Sequence, residues 1–319
     1  MESPHRPVLT DEVIHGLDPR PGGIVIDCTA GFGGHARLLA ARIGRDGTLL
    51  CLDRDTTAID WLTRTLENCG PRVLIRRGTF GALGQHADAV GLTPGSVDAI
   101  LLDLGVSSAQ LDRGERGFSI QNDGPLDARM DQTGAVTAAD LVRDLDEHAL
   151  AQLFREHGDE PHARRIAHAI VTARGKTPID RTHQLAELVE RAVGGRRGRR
   201  IHPATRVFQA LRIAVNAESS ELQLVLPSAL ELLAPQGRLA VISYHSHEDR
   251  VVKQFFRHHS ADCICPPRQP ACTCDHRATL SLRPRRAIKP SEDEIRENAR
   301  ARSARLRIAV RLGVSGDLR

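Results

Sequence analysis

The sequence predicts a doubly wound α/β fold with an inserted, mostly helical domain. Three observations predict it. Short apolar runs alternate with helical stretches over residues 22–103, strand signals then disappear from about 112 to 212, and they return near 238. Apolar runs of four to seven residues between helices fit parallel strands buried on both faces. The βαβα rhythm then implies helices on both sides of one sheet, a Rossmann-like arrangement.

Residues 23–28 (GIVIDC) read as the first strand and 34–43 as the first helix after it. Residues 48–53 (TLLCLD) form a second strand, 56–68 a helix, 73–75 a third strand, 80–90 a short helix and 97–103 (VDAILLD) a fourth strand. The stretch 112–136 is rich in Gly, Asp and Arg and reads as loop, followed by helical periodicity at 137–157, 160–173 and 182–193. A long helix is expected near 216–234, then a strand at 238–243 (RLAVIS), helices at 247–258 and 292–301, and an alternating strand at 304–312. This divides the chain into 1–112, a helical insertion 113–212 and a resumed sheet domain 213–319.

The 319 residues are 40% hydrophobic and 26% charged, which excludes a wholly disordered chain. No apolar run approaches the roughly 20 residues that span a bilayer. The opening Met-Glu-Ser-Pro-His-Arg has no apolar signal core, so a cytoplasmic protein without a membrane partner is expected. The net charge is +4, and its distribution is uneven: between Gly194 and Arg206 there are five arginines and no acid. Such a stretch suits phosphates, as does a solvated charge run.

The first strand ends in Asp27 and leads through Gly31-Phe-Gly33-Gly34-His35 into a helix, and the second ends in Asp53. A glycine-rich turn lets a ligand approach the backbone. An acid at the second strand end takes both hydroxyls of a ribose. Gly31-x-Gly33-x-x-Ala36 formally satisfies a dinucleotide fingerprint. Asp27 argues against it, because a carboxylate beside the loop repels a pyrophosphate. Asp27, Asp53 and Asp103, each at a strand end, instead suit a cationic adenosine ligand, S-adenosylmethionine.

Longer blocks carry a resemblance: His5-Arg-Pro-Val8, 27–35, 103–112, Arg116-Gly-Phe-Ser119 leading to 123–131, 202–216, Ser243-Tyr-His-Ser-His-Glu-Asp-Arg250 and 298–307. In these the chain resembles, over nearly its whole length, the ribosomal RNA small-subunit methyltransferase H family. These enzymes transfer methyl from S-adenosylmethionine to the N4 amine of a cytidine in 16S rRNA. The resemblance implies a class I methyltransferase sheet, with 16S rRNA or the small ribosomal subunit as partner. It implies cofactor contacts at Gly33, Gly34, His35, Asp53, Phe80, Asp103 and Gln110. The chain departs from the family's Phe and Leu at Tyr244 and His247.

Asp103 is also the candidate catalytic acceptor of an amine proton, since the fourth strand end lacks the Pro-Pro-aromatic turn of many amine methyltransferases. Arg206, His245 and Arg250 are candidate RNA contacts, and Arg196, Arg197, Arg199 and Arg200 candidate phosphate contacts. Two other function classes stay open on the residues alone: a noncatalytic RNA-binding assembly factor and an NAD-dependent oxidoreductase. Four of the seven cysteines cluster as Cys263-x-Cys265-x6-Cys272-x-Cys274. Four thiolates can hold zinc, but two C-x-C pairs are less typical than C-x2-C pairs, and the sequence alone assigns no metal.

Overall fold

The computed structural model describes residues 7–196, 198, 201–266, 269 and 271–313. Of the sequence-predicted features, His5, Arg6, Arg197, Arg199 and Arg200 lie outside the described residues. The described chain divides into two compact units, one running up to Gly105 and resuming at Ser220, the other Val106–Ser219.

The first unit is a sheet sandwiched by helices. Its strands are β1 (Ile24–Asp27), β2 (Thr48–Asp53), β3 (Arg72–Arg77), β4 (Val97–Asp103), β5 (Leu233–Ser243), β6 (Leu280–Leu282) and β7 (Arg305–Arg311), in the order β3-β2-β1-β4-β5-β7-β6. The first five run parallel to one another, and β7 runs antiparallel to both β5 and β6. Alternate residues of the inner strands feed two separate cores. Val25, Leu49, Leu101 and Ile242 pack with α1 (Thr10–Leu17), α2 (Gly34–Ile43) and α3 (Thr56–Leu66). Ile26, Leu50, Leu102 and Val241 pack on the other face. That face is covered by α4 (Leu83–Asp88) and by two later helices, 218–232 and 246–259. Burial on both faces is why these strands read as continuous apolar runs rather than alternating ones.

The second unit is helical: α5 (Ser108–Asp112), α6 (Ala138–Asp144), α7 (Glu147–Gly158), α8 (Ala163–Arg174), α9 (Thr182–Ala192) and α10 (Thr205–Val215). The next helix, α11 (Glu218–Leu232), carries the chain back to the sheet. The unit has its own core around Phe154, Ile166, Leu185 and Leu211. The single helix expected over 137–157 is broken. Leu145 is extended (φ −72°, ψ 139°), and Asp146 caps α7 by accepting the Ala149 N–H at 2.7 Å. The cap satisfies an orphan donor, so two short helices replace one.

Several blocks that carried the family resemblance hold this unit together. Buried Arg116 donates to the carbonyls of Arg129 (3.1 Å) and Met130 (2.9 Å). Asp127 takes a two-pronged bond from the Arg129 guanidinium at 2.8 and 2.6 Å. The Asn216 side chain accepts from the Met130 N–H and donates to the Ala128 carbonyl, both at 2.8 Å.

In the first unit, α12 (Ser246–His259) and α13 (Glu292–Glu297) complete the helices. Asp249 of α12 is 6% exposed and accepts from Arg305 (2.9 Å) and Arg307 (2.8 Å) of β7. Burial alone would raise its pKa, but the bonds from Arg307 and Arg305 outweigh it and hold the carboxyl below its usual range. A depressed carboxylate stabilises the fold above the ordinary carboxylate range, and that stability is lost as pH falls through its folded value. Asp249→Ala is expected to destabilise the chain by about 2–3 kcal/mol at pH 7, less than a fully buried pair because Arg305 reaches solvent. Denaturant unfolding of both proteins checks this, and the gap should close toward pH 3.

Candidate active site

The sheet order places β2, β1 and β4 side by side, and each ends in aspartate. Asp27 pairs in register with Cys51 on one side and Leu101 on the other, so Asp53 and Asp103 lie two residues further along their strands. Three carboxylates therefore share the carboxyl edge of the sheet, where open α/β sheets bind ligands.

The loop from β1 to α2 is fixed by this edge. Gly31 sits at φ +50°, and its N–H donates to Asp53 Oδ2 at 2.8 Å. Asp53 Oδ1 accepts the Asp55 N–H at 2.8 Å, and Asp55 caps α3 through the Thr57 N–H at 2.9 Å. Gly33, at φ +78°, occupies the position before α2, and a Cβ there would lie 3.1 Å from the Leu62 side chain. Both conformation and space call for glycine. By contrast, a Cβ on Gly31 would meet nothing closer than the Thr29 carbonyl at 3.9 Å, so the loop is open on that side.

Each carboxylate is held in a distinct way. Asp27 is only 1% exposed and accepts the Thr29 N–H at 3.1 Å, which ties it to the start of the loop. Burial pushes its pKa up to about 7, against the Thr29 bond, with Asp103 and Asp53 raising it further. Burial likewise lifts Asp53 to about 6, with the Asp55 and Gly31 N–H bonds pulling the other way. Asp103 stands at about 7, raised by burial and by Glu248 and lowered by the Tyr244 bond.

Asp103 is the hub of the edge. Its N–H donates to Thr29 Oγ1 at 2.6 Å, its Oδ1 accepts the Tyr244 hydroxyl at 2.9 Å, and its Oδ2 lies 3.6 Å from His35 Nε2. His35, in the first turn of α2, is 5% exposed. The structure thus brings together Asp103, His35 and Tyr244. In the sequence Tyr244 stands out only as a departure from the family's phenylalanine. The added hydroxyl that it brings is what reaches Asp103. Phe80 begins a 3-10 turn just after β3, half-buried against the second core, and the Gly78 N–H before it donates to the Asp53 carbonyl at 2.9 Å. Gly34 is the first residue of α2.

The other predicted residues sit differently. Gln110 belongs to the helical unit, where it is 7% exposed and its Oε1 accepts the Ser107 N–H at 3.0 Å in a capping box. Arg206 is exposed in the first turn of α10. Arg196, the described member of the loop arginines, is exposed and reaches Glu190 at 3.3 Å. His245 caps α12, with Nδ1 accepting the Glu248 N–H at 3.4 Å and Nε2 2.9 Å from Glu248 Oε1. Its ring is taken up by that cap, and it fixes the turn that carries Tyr244. Arg250 is exposed on α12. His247, the second departure, is half-buried and stacks on His245 at 6.4 Å.

The edge fits a cationic ligand better than a phosphate. Several buried carboxyls repel one another and gain from a nearby positive charge. The Gly31 N–H, which a pyrophosphate would use, is already bound to a carboxylate.

Comparison with known proteins agrees with this chemistry. Residues 2–312 match the MraW methylase family. A protein of Syntrophotalea carbinolica named ribosomal RNA small subunit methyltransferase H is 51% identical over 97% of this chain and 98% of its own length. Proteins of the same name from Thermomicrobium roseum and Geobacter sulfurreducens are each 48% identical, covering 99% and 97% of this chain and 96% and 99% of their own.

Proposed function

The chain belongs to the MraW methylase family, and we propose that within it the protein transfers a methyl group from S-adenosylmethionine to the N4 amine of a cytidine in 16S rRNA. The observation that carries the reading is the row of three strand-end carboxylates beside an open glycine loop, on a chain about half identical to proteins named for this small-subunit reaction.

When bound, S-adenosylmethionine supplies a methyl group activated by its sulfonium. Asp53 would hold the ribose hydroxyls with the lone pairs that Gly31 and Asp55 leave free. Gly33 and Gly34 would let the ligand approach the loop backbone, His35 and Phe80 would contact it, and Gln110 holds its own loop by capping α5. Asp27 and Asp103 balance the ligand's positive charge.

The amine of cytosine is a weak nucleophile because its lone pair is delocalised into the ring. Asp103 would accept the proton that leaves this nitrogen as the N–CH3 bond forms and the S–CH3 bond breaks, and its burial raises the basicity of the carboxylate. Tyr244 is a positioning residue that fixes the carboxylate by donating to Oδ1. The cytidine must be unstacked to reach the site. Arg196 and Arg206 on the helical unit and Arg250 on α12, together with Arg197, Arg199 and Arg200 of the same sequence stretch as Arg196, would serve as phosphate contacts.

The test is methylation of small ribosomal subunits and of free 16S rRNA with labelled S-adenosylmethionine, followed by mapping of the modified nucleotide. One labelled cytidine carrying an N4 methyl group is expected. Label on another base or position, or cofactor binding with no transfer to RNA, contradicts the reading.

A further inference from the structure

The four clustered cysteines play no part in methyl transfer, and the fold gathers them. They lie on the twenty residues 260–279 between α12 and β6, which contain no helix or strand among those described. The segment has little core of its own: Ile264 is 46% exposed. A structureless loop of this length in a compact domain is either functional or disordered. This one returns on itself. The Thr279 N–H donates to the His259 carbonyl at 2.8 Å, and His276 Nε2 lies 2.9 Å from the His258 carbonyl.

Within the loop the Sγ atoms of Cys263, Cys265, Cys272 and Cys274 all lie within 4.8 Å of one another. Cys274 Sγ is 3.6 Å from Cys272 Sγ and 3.8 Å from Cys263 Sγ, and all four thiols are free. Tetrahedral zinc with Zn–S bonds of about 2.3 Å sets its sulfurs about 3.8 Å apart. Three backbone N–H groups also point at the sulfurs: Ile264 to Cys274 (3.4 Å), Cys265 to Cys263 (3.4 Å) and Thr273 to Cys265 (3.5 Å). Such donors stabilise metal-bound thiolates and orient them. A set of four soft sulfurs selects a thiophilic ion over magnesium or calcium.

We infer that Cys263, Cys265, Cys272 and Cys274 bind one zinc ion and that this ion closes the loop between α12 and β6. The ion is structural, since four thiolates leave no open position for substrate or water. α12, fourteen residues and so about 21 Å long, separates this loop from the turn carrying Tyr244. The site therefore acts on loop order rather than on the cofactor pocket.

The experiment measures metal content and thiol reactivity of the whole chain purified in reducing, chelator-free buffer. One zinc per chain is expected, with the four loop thiols alkylating slowly until a strong chelator is added. Cys28 and Cys51, 2% and 0% exposed, should stay unreactive throughout and serve as the folding control. Replacing zinc with cobalt should give thiolate-to-metal charge-transfer absorption. The double variant Cys272→Ser/Cys274→Ser should lose the zinc and keep its affinity for S-adenosylhomocysteine. Absence of zinc after reconstitution, iron in its place, loop thiols paired as disulfides in reductant, or zinc retained by the double variant would each overturn the inference. The chelation arm uses the unaltered protein and holds even if the variant does not fold.

Discussion

Asp103→Asn is expected to lower the single-turnover methylation rate by about 10²–10³-fold, the usual contribution of a positioned proton acceptor, while cofactor affinity falls by about tenfold or less. Asparagine keeps a side-chain oxygen for the Tyr244 hydroxyl, which now lies 2.9 Å from Oδ1, so the local packing survives. What it loses is the charge and the ability to take up a proton. Rapid-quench assays at saturating cofactor, alongside calorimetric affinities, separate the two effects. Normal turnover with unchanged affinity would remove Asp103 from the chemistry. Tyr244→Phe should have a smaller effect. It leaves the carboxylate in place without its donor, so the pKa of Asp103 should rise and the pH–rate profile should move to higher pH.

Cofactor affinity is expected to weaken about tenfold for each pH unit below about 6, assuming one proton is released on binding, and to level off above about 7. The pKa values of Asp27 and Asp103 lie near 7 and that of Asp53 near 6, each raised chiefly by burial. A cation binds the ionised edge, so at low pH it must first expel protons. Without cofactor the sign for stability is opposite. These raised carboxyls contribute stability that is fully present below the ordinary carboxylate range and is lost as pH rises through 6–7. The melting temperature of the cofactor-free protein should therefore fall from pH 5 to pH 7.5 once the opposing contribution of Asp249 is complete, and added cofactor should restore it. Calorimetry in buffers of different ionisation enthalpy counts the protons released. A pH-independent affinity would mean that the three carboxyls do not face the ligand.

Much of the sheet was legible because burial on both faces writes continuous apolar runs into the sequence. The helix at 34–43 and the strands ending in Asp27, Asp53 and Asp103 stand as the sequence predicted them. Less was legible where a local cap competes with periodicity. Apolar spacing runs on through Leu145, and only the Asp146 cap ends one helix and starts the next. The helices Thr10–Leu17 and Thr205–Val215 and the three-residue strand Leu280–Leu282 were missed. The first is only eight residues long, the second falls inside the block 202–216 that carries the family resemblance, and the last is too short to show a period. β5 begins five residues earlier than expected, across a register shift opposite β4 that Pro235 and Gly237 hid.

In the site, the acids could be found because each ends a strand. Burial of Asp27 could not, nor could the bond from Tyr244 to Asp103, which joins residues 141 apart in sequence. The same holds for the cysteines. Their spacing argued against a metal, and only folding of the loop shows that two C-x-C pairs face one another.

The arrangement of charge at the strand ends is the foundation of this account, and equilibrium competition measures it directly. Labelled S-adenosylmethionine is titrated into the protein at pH 7.5 and then challenged with NAD and, separately, with S-adenosylhomocysteine. One donor molecule per chain, displaced by S-adenosylhomocysteine and untouched by NAD, is the predicted result. Displacement by the pyrophosphate-bearing dinucleotide, or no binding of the sulfonium compound, would contradict it.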